Sequence, residues 1–141
     1  MYMRQLRLLL FFAGVIAISA FLILGVQRHR ASNAAKATLE THFTDLRRGK
    51  IESVLSRYSS EFFHKPKVDR ERWQQSLSKL IGTNDYTIIG WEAHRCEPRR
   101  DGICVWISCQ SRYPSNGFTE DFEFFRARGT TNFVILSHVF D

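Results

Sequence analysis

Residues 104–140 read CVWISCQSRYPSNGFTEDFEFFRARGTTNFVILSHVF, and their apolar side chains recur every second residue. That period belongs to strands with one face buried and one free. Turn residues divide the stretch. Asn116-Gly117 marks a tight hairpin, and Arg128-Gly129-Thr130-Thr131 joins two further runs. The pattern predicts strands over Cys104–Tyr113, Phe118–Arg126 and Phe133–Phe140, preceded by one over Tyr86–Arg95. Four consecutive strands with short links form an antiparallel meander.

Three loops set the expected registers. Cys96 opposite Cys104 sets Ala93 against Ile107 and Trp91 against Cys109. A two-residue Asn116-Gly117 loop sets Cys109 against Phe124 and Ser111 against Phe122. A four-residue last loop sets Phe124 against Ile135. One face then collects Ile89, Trp91, Ala93, Val105, Ile107, Cys109, Phe122, Phe124, Phe133 and Ile135. A slip of one residue would scatter that set. The other face carries Glu92, His94, Trp106, Ser108, Gln110, Phe125, Val134, Leu136 and Phe140.

Upstream the period lengthens to that of helices. Ala35, Leu39, Phe43 and Leu46 share one face of a helix over residues 32–48, with Ser32 or Asn33 as its cap and Gly49 as its end. A short second helix carries Ile51, Val54, Leu55 and Tyr58, then Phe62 and Phe63. A third, capped by Asp69 and stopped by Gly82, presents Trp73, Leu77, Leu80 and Ile81. The fold class is α+β: three helices cover one face of a four-stranded antiparallel sheet.

The first thirty residues are of another kind. Leu8–Val26 is an unbroken apolar run with only Ser19 weakly polar. At ~1.5 Å per residue it matches a hydrocarbon core of about 30 Å. The division expected is residues 1–30 as membrane anchor with its basic flank, and 31–141 as one domain. A cleaved signal peptide is the competing reading, but Ala17-Ile18-Ser19 lies inside the run and Ser32-Asn33-Ala34 lies beyond the basic Arg28-His29-Arg30. Basic residues flank both ends, so charge leaves the orientation open. The short N-terminal tail favours a domain outside the cytoplasm.

The formal charge of +6 comes from 20 Lys/Arg against 14 Asp/Glu. Arg4, Arg7, Arg28 and Arg30 flank the apolar run, and without them the excess falls to +2. No nucleic-acid surface is expected. Arg95, Arg99, Arg100 and Arg112 gather near hairpin ends, where Asp101 and Asp121 offset part of their charge.

From Phe43-Thr-Asp-Leu-Arg-Arg-Gly-Lys-Ile-Glu-Ser-Val-Leu-Ser-Arg-Tyr-Ser-Ser-Glu-Phe62, through Asp69-Arg-Glu-Arg-Trp73 with Leu77, to the closing alternating strand, the chain resembles the nuclear transport factor 2-like (cystatin-like) superfamily. The resemblance covers residues 32–141 without a diagnostic motif. It departs at Phe133, where relatives often carry Trp. It implies a cone-shaped fold with a pocket between helices and curved sheet. It also implies a choice among enzymes, dimeric binding modules and membrane-tethered periplasmic domains, some of them in type IV secretion machinery. Fold membership does not make that choice.

Catalytic members of the superfamily place Asp, Glu, His or Tyr in the pocket. The face assigned inward here carries no carboxylate and no His. Its lining candidates are Trp91, Phe122, Phe124, Tyr58 and Ser111, with Ser137, and Asp45 reads as a solvated helix residue. No catalytic residue and no cofactor is expected. His29, His42, His64, His94 and His138 show no metal-ligand spacing, and His94 and His138 read as surface residues. Cys96 and Cys104 flank a turn-like loop and are a disulfide candidate, which favours an oxidising compartment; Cys109 reads as a buried thiol. The outer face gives the interface candidates Trp106, Phe125, Val134, Leu136, His94 and Gln110. The expected function is a non-enzymatic, single-pass, membrane-tethered domain in the cell envelope. It acts by protein contacts, as a homodimer or an accessory subunit. The alternative is a small-ligand-binding or enzymatic pocket of the same fold. Sequencing the N terminus of the mature chain checks the anchor: residues 8–26 are expected to be retained, and their loss would make the domain secreted.

Overall fold

The computed structural model describes residues 2–66, 68–82, 85–96, 100–114 and 116–141, and the side chains from Leu10 onward. The chain divides into two compact units, Met1–Arg30 and Ala31–Asp141. The described part of the first is wholly helical, and every side chain from Leu10 to Arg30 is exposed. Leu10, Phe11, Ile16, Phe21 and Leu22 have no protein partner to bury them. Among the described residues, one helix is long and apolar enough to cross a membrane. The Ser19 hydroxyl donates to the Val15 carbonyl at 2.8 Å, so the one polar side chain of the Leu8–Val26 run is satisfied within the helix.

Helix α1 spans Tyr2–Arg47. No cap occurs at Ser32 or Asn33, because no helix begins there, and Ser32 is fully buried. The helix ends at a Schellman motif: Gly49 N–H donates to Leu46 O at 3.0 Å and Lys50 N–H to Asp45 O at 2.9 Å, with Gly49 at φ 68°.

The expected second helix splits into α2 (Ile51–Leu55) and α3 (Ser60–Phe63). The cause lies in the sheet. Ser59 N–H donates to Ile135 O at 2.9 Å and Ile135 N–H to Arg57 O at 2.7 Å, so Tyr58 sits beside Ile135 as a parallel bridge. Those bonds cannot coexist with helical ones at the same groups. Helix α4 (Arg70–Ser78) begins where the Asp69 carboxylate accepts from Arg72 N–H at 2.9 Å. Leu77 is buried beneath it, whereas Ile81 lies past its end and is exposed.

Strands β1 (Asp85–Arg95), β2 (Gly102–Arg112), β3 (Gly117–Ala127) and β4 (Val134–Phe140) form one antiparallel sheet in that order. β2 and β3 pair without interruption, setting Val105 against Phe124, Ile107 against Phe122 and Cys109 against Glu120. The hairpin closes two residues earlier than Asn116-Gly117: Tyr113 N–H donates to Asn116 O at 2.8 Å, and Gly117 belongs to β3 opposite Arg112. Between β1 and β2, Ala93 meets Val105 and Trp91 meets Ile107. Both registers differ from expectation by an even number of residues, so faces are kept where no bulge intervenes.

Two irregularities change faces. In β1 the register shifts between Ile88 and Gly90. Ile88 takes the inward place opposite Cys109, and Ile89 turns out to solvent, 55% exposed. In β4 the shift follows the Phe124–Ile135 pair, so that Glu123 meets Ser137 and Phe122 meets His138. Leu136 is the extra residue. Beyond it, Ser137 faces out while His138 and Phe140 face in, the reverse of the uniform alternation.

The core gathers Leu39, Phe43 and Leu46 of α1, Val54, Leu55, Phe62 and Leu77 of the shorter helices, and Ile107, Phe122, Phe124 and Ile135 of the sheet. Replacing Phe122, which is fully buried, by Ala should cost about 3–5 kcal/mol in urea unfolding. Ile89→Ala should stay within about 0.5 kcal/mol. Comparable losses at the two positions would contradict the β1 bulge.

Candidate functional site

The inner face is not free of ionisable groups, and this corrects the sequence reading. Glu120 and His138 lie inside it, their side chains 0% and 1% exposed, with Glu120 Oε2 2.6 Å from His138 Nε2. Tyr58 Oη lies 2.7 Å from His138 Nδ1. The second oxygen of Glu120 accepts from Tyr113 Oη at 2.6 Å and from Ser111 Oγ. Two hydroxyls thus donate to one carboxyl oxygen while the His138 ring meets the other. Tyr58 and Ser111, both expected to line the pocket, join Tyr113 as hydroxyl members of this network.

The shell around it is aromatic. Phe122 stacks on the His138 ring at 3.9 Å between centroids, Phe140 lies at 4.4 Å and Trp73 at 5.4 Å edge-on. Phe140, expected on the outer face, is thus half-buried on the inner side against His138. His42 is also fully buried, with edge contacts to Tyr58, Phe122 and His138 at 5.5–5.9 Å. Neither of its ring nitrogens has a hydrogen-bond partner in the described structure.

Burial governs the proton affinities. It lowers that of His42 well below the usual imidazole value, and the neighbouring His138 and Arg57 push the same way. Burial raises the hydroxyls of Tyr58 and Tyr113, aided by the Glu120 charge, so both stay protonated donors. Burial pushes the Cys109 thiol up to about 12, with Glu120 and Asp121 adding to the shift, which leaves it unreactive.

Asp45 is not a solvated helix residue. It is nearly buried and lies 2.5 Å from Arg57, whose hydrogen bond holds its carboxyl below the usual range. Ser53 Oγ donates to the same oxygen at 2.8 Å. This pair ties the end of α1 to the segment after α2. Arg57 borders a groove of about 370 Å³ with Thr38, Thr41 and Asn132, but its charge is already matched by Asp45.

Cys96 and Cys104 are joined by a disulfide, with Cα atoms 5.1 Å apart. The residue directly opposite Cys104 is His94, so the bond links Cys96 diagonally from just beyond β1. Leu136 is 3% exposed and packs with Phe125 against the two cysteines. Leu136 therefore leaves the set of interface candidates. Phe125 and Val134 are half-buried and Gln110 is exposed. Trp106, at 36% exposure, borders an outer groove of about 420 Å³ with Glu92, His94, Asp121, Glu123, Ser137 and Val139. Trp91, expected in the pocket, lies 44% exposed on the outermost strand, with Lys36 Nζ 4.5 Å above its ring. Phe122 and Phe124 are fully buried.

The expected basic cluster is dispersed. Arg100 pairs with Glu61, and Asp101 lies 3.8 Å from Arg128. Arg99 lies outside the described residues. With this geometry in view, the chain matches no protein-family model, and no curated protein matches it as a relative.

Two of the missed residues had a signal. Glu120 alternates in phase with Phe122 and Phe124, and His42 lies at helical spacing from Ala35, Leu39 and Leu46. His138 had none, because the β4 bulge alone turns it inward.

The buried state of His42 gives a pH dependence. Its folded value is lowered from 6.5, so below about pH 6.5 the unfolded chain takes up a proton that the folded chain refuses. Stability should therefore fall with decreasing pH, by at most about 1.4 kcal/mol per unit, until the folded value is reached. Asp45 acts in a separate, lower window. Urea titrations of the detergent-solubilised chain between about pH 7.5 and pH 5 check this, and His42→Phe should lack that part of the slope.

Proposed function

We propose that this chain is a membrane-tethered, non-enzymatic domain of the nuclear transport factor 2-like type, acting through protein contacts of its outer sheet face in the cell envelope. The observation that carries this reading is the contrast between the two faces. Phe43, Ile107, Phe122, Phe124 and Ile135 are fully buried on the inner side. On the outer side Trp106 and Val139 remain accessible around a groove. An accessible Trp bordered by polar groups is the kind of anchor on which association energy concentrates.

Glu92, Asp121 and Glu123 give the groove a negative rim. The complementary partner surface is basic, with an Arg or Lys placed over Trp106. The disulfide supports a domain on the oxidising side of the membrane. The cone-shaped arrangement and the family assignment rest on element order and on the resemblance of residues 32–141.

A second reading has a specific observation in its favour. Glu120, His138 and Tyr58 form a relay of donors and acceptors suited to general acid–base work, with His42 beside it. The aromatic shell that seals these groups favours a structural role instead.

Trp106→Glu tests the contact reading. The detergent-extracted full chain, followed by light scattering and by crosslinking in its membrane, should keep its circular-dichroism spectrum and lose at least tenfold in association. Unchanged association would remove the contact reading, and an unfolded variant would assign Trp106 to the core.

A further inference from the structure

We propose that the outer face carries a zinc-class metal site that alternates with the disulfide, formed by Cys96, Cys104, His94 and Glu123. A ring nitrogen of His94, Sγ of Cys104 and a carboxylate oxygen of Glu123 all lie within 4.8 Å of one another. Cys96 Sγ is covalently attached to one of them. One sulfur, one imidazole and one carboxylate therefore converge on one place, and the second sulfur, bonded to the first, is the fourth donor once the bond is opened.

The sheet brings them together. His94 on β1 and Cys104 on β2 are direct cross-strand partners. Glu123 on β3 faces Trp106, two residues along from Cys104, which makes it the diagonal neighbour on the same face. Adjacent strands hold such neighbours at fixed spacing without help from a ligand. Cys96 follows β1 directly, two residues after His94.

The donor set specifies the ion. Zinc takes four such ligands tetrahedrally, at about 2.3 Å from sulfur and about 2.0–2.2 Å from nitrogen and oxygen. Donors in that geometry sit roughly 3.3–3.8 Å apart. The three donors, within 4.8 Å of one another, would have to draw closer by side-chain rotation on binding. Two thiolates with an imidazole favour zinc over the hard cations magnesium and calcium. His94 and Glu123 line the outer groove, which supplies an entry path, and the nearby Glu92 and Asp121 favour a cation there.

The disulfide and the metal exclude one another. In the bonded form neither sulfur is a thiolate, and only His94 and Glu123 remain as donors. A dithiol reductant gives two electrons and two protons to the Cys96–Cys104 bond, leaving two thiols and the reductant's own disulfide. Metal binding then releases the two thiol protons to solvent. Either link fastens the end of β1 to β2, and the metal adds β3. The redox poise around the domain selects between them. The site shares His94 and Glu123 with the rim of the Trp106 groove, but cobalt binding by the reduced chain alone tests it without any protein partner.

Cobalt(II) is the probe for the test. The full-length chain in detergent, reduced with a phosphine, should bind one equivalent and develop thiolate-to-cobalt charge transfer with tetrahedral d–d bands. The oxidised chain should develop neither. His94→Ala and Glu123→Gln should each weaken binding at least about tenfold, while Cys109→Ser should leave it unchanged. As a check independent of the spectrum, zinc should raise the thermal midpoint of the reduced chain. Absence of thiolate-bound cobalt in the reduced chain, equal binding by the oxidised chain, full affinity in the His94/Glu123 double variant, or an unmoved midpoint would each overturn the site.

Discussion

Pairing of β2 with β3 runs without a break from Gly102 opposite Ala127 to Arg112 opposite Gly117. Because side chains alternate strictly along paired strands, this ladder fixes which groups meet the helices. Val105, Ile107 and Cys109 line up with Phe124, Phe122 and Glu120 on one side. Cys104, Trp106 and Ser108 line up with Phe125, Glu123 and Asp121 on the other. The flanking strands depart from uniform alternation, one bulge each, and the central pair absorbs both departures. Gly102 shows how close the ladder runs at its end: a Cβ there would lie 2.3 Å from the Arg126 carbonyl.

The inner face combines a dense aromatic core with a buried ionisable network. Such a network stabilises only when its members are all satisfied, since an unpaired polar group in a dry interior costs about 1–3 kcal/mol. Glu120 meets that condition through His138, Tyr113 and Ser111. The network reaches across β2, β3, β4 and, through Tyr58, the segment that bridges to Ile135. It thereby ties β4 to β2 and β3 from inside the sheet. His42 lies outside this bonding and adds a proton-sensitive element beside it.

The outer face is built differently. Leu136, Phe125 and the disulfide form a small separate cluster. Beyond it the surface opens into the groove at Trp106. Polar groups that the bulge of β4 sends outward, notably Ser137, line this groove with carboxylates of β1 and β3. The other unit carries a helix long and apolar enough to cross a membrane.

Local chemistry determined much of this protein. Leu8–Val26 is apolar enough to read as a span on composition alone, Gly49 and Asp69 mark helix ends by their own conformational and capping preferences, and the Phe122/Phe124 alternation announces a strand with one greasy side. The strand boundaries and the proximity of Cys96 to Cys104 follow from such signals, and even the misjudged hairpin loops kept their faces because each error was an even number of residues. The tertiary structure decided the rest. Ile88 rather than Ile89 faces inward, and His138 rather than Ser137 meets Glu120, because one extra residue in an edge strand inverts every side chain beyond it. The gathering of His94, Cys104 and Glu123 from three strands leaves no linear spacing to read. A bulge is chosen by whichever packing buries the larger set of side chains across strands, and that comparison exists only once the strands have met.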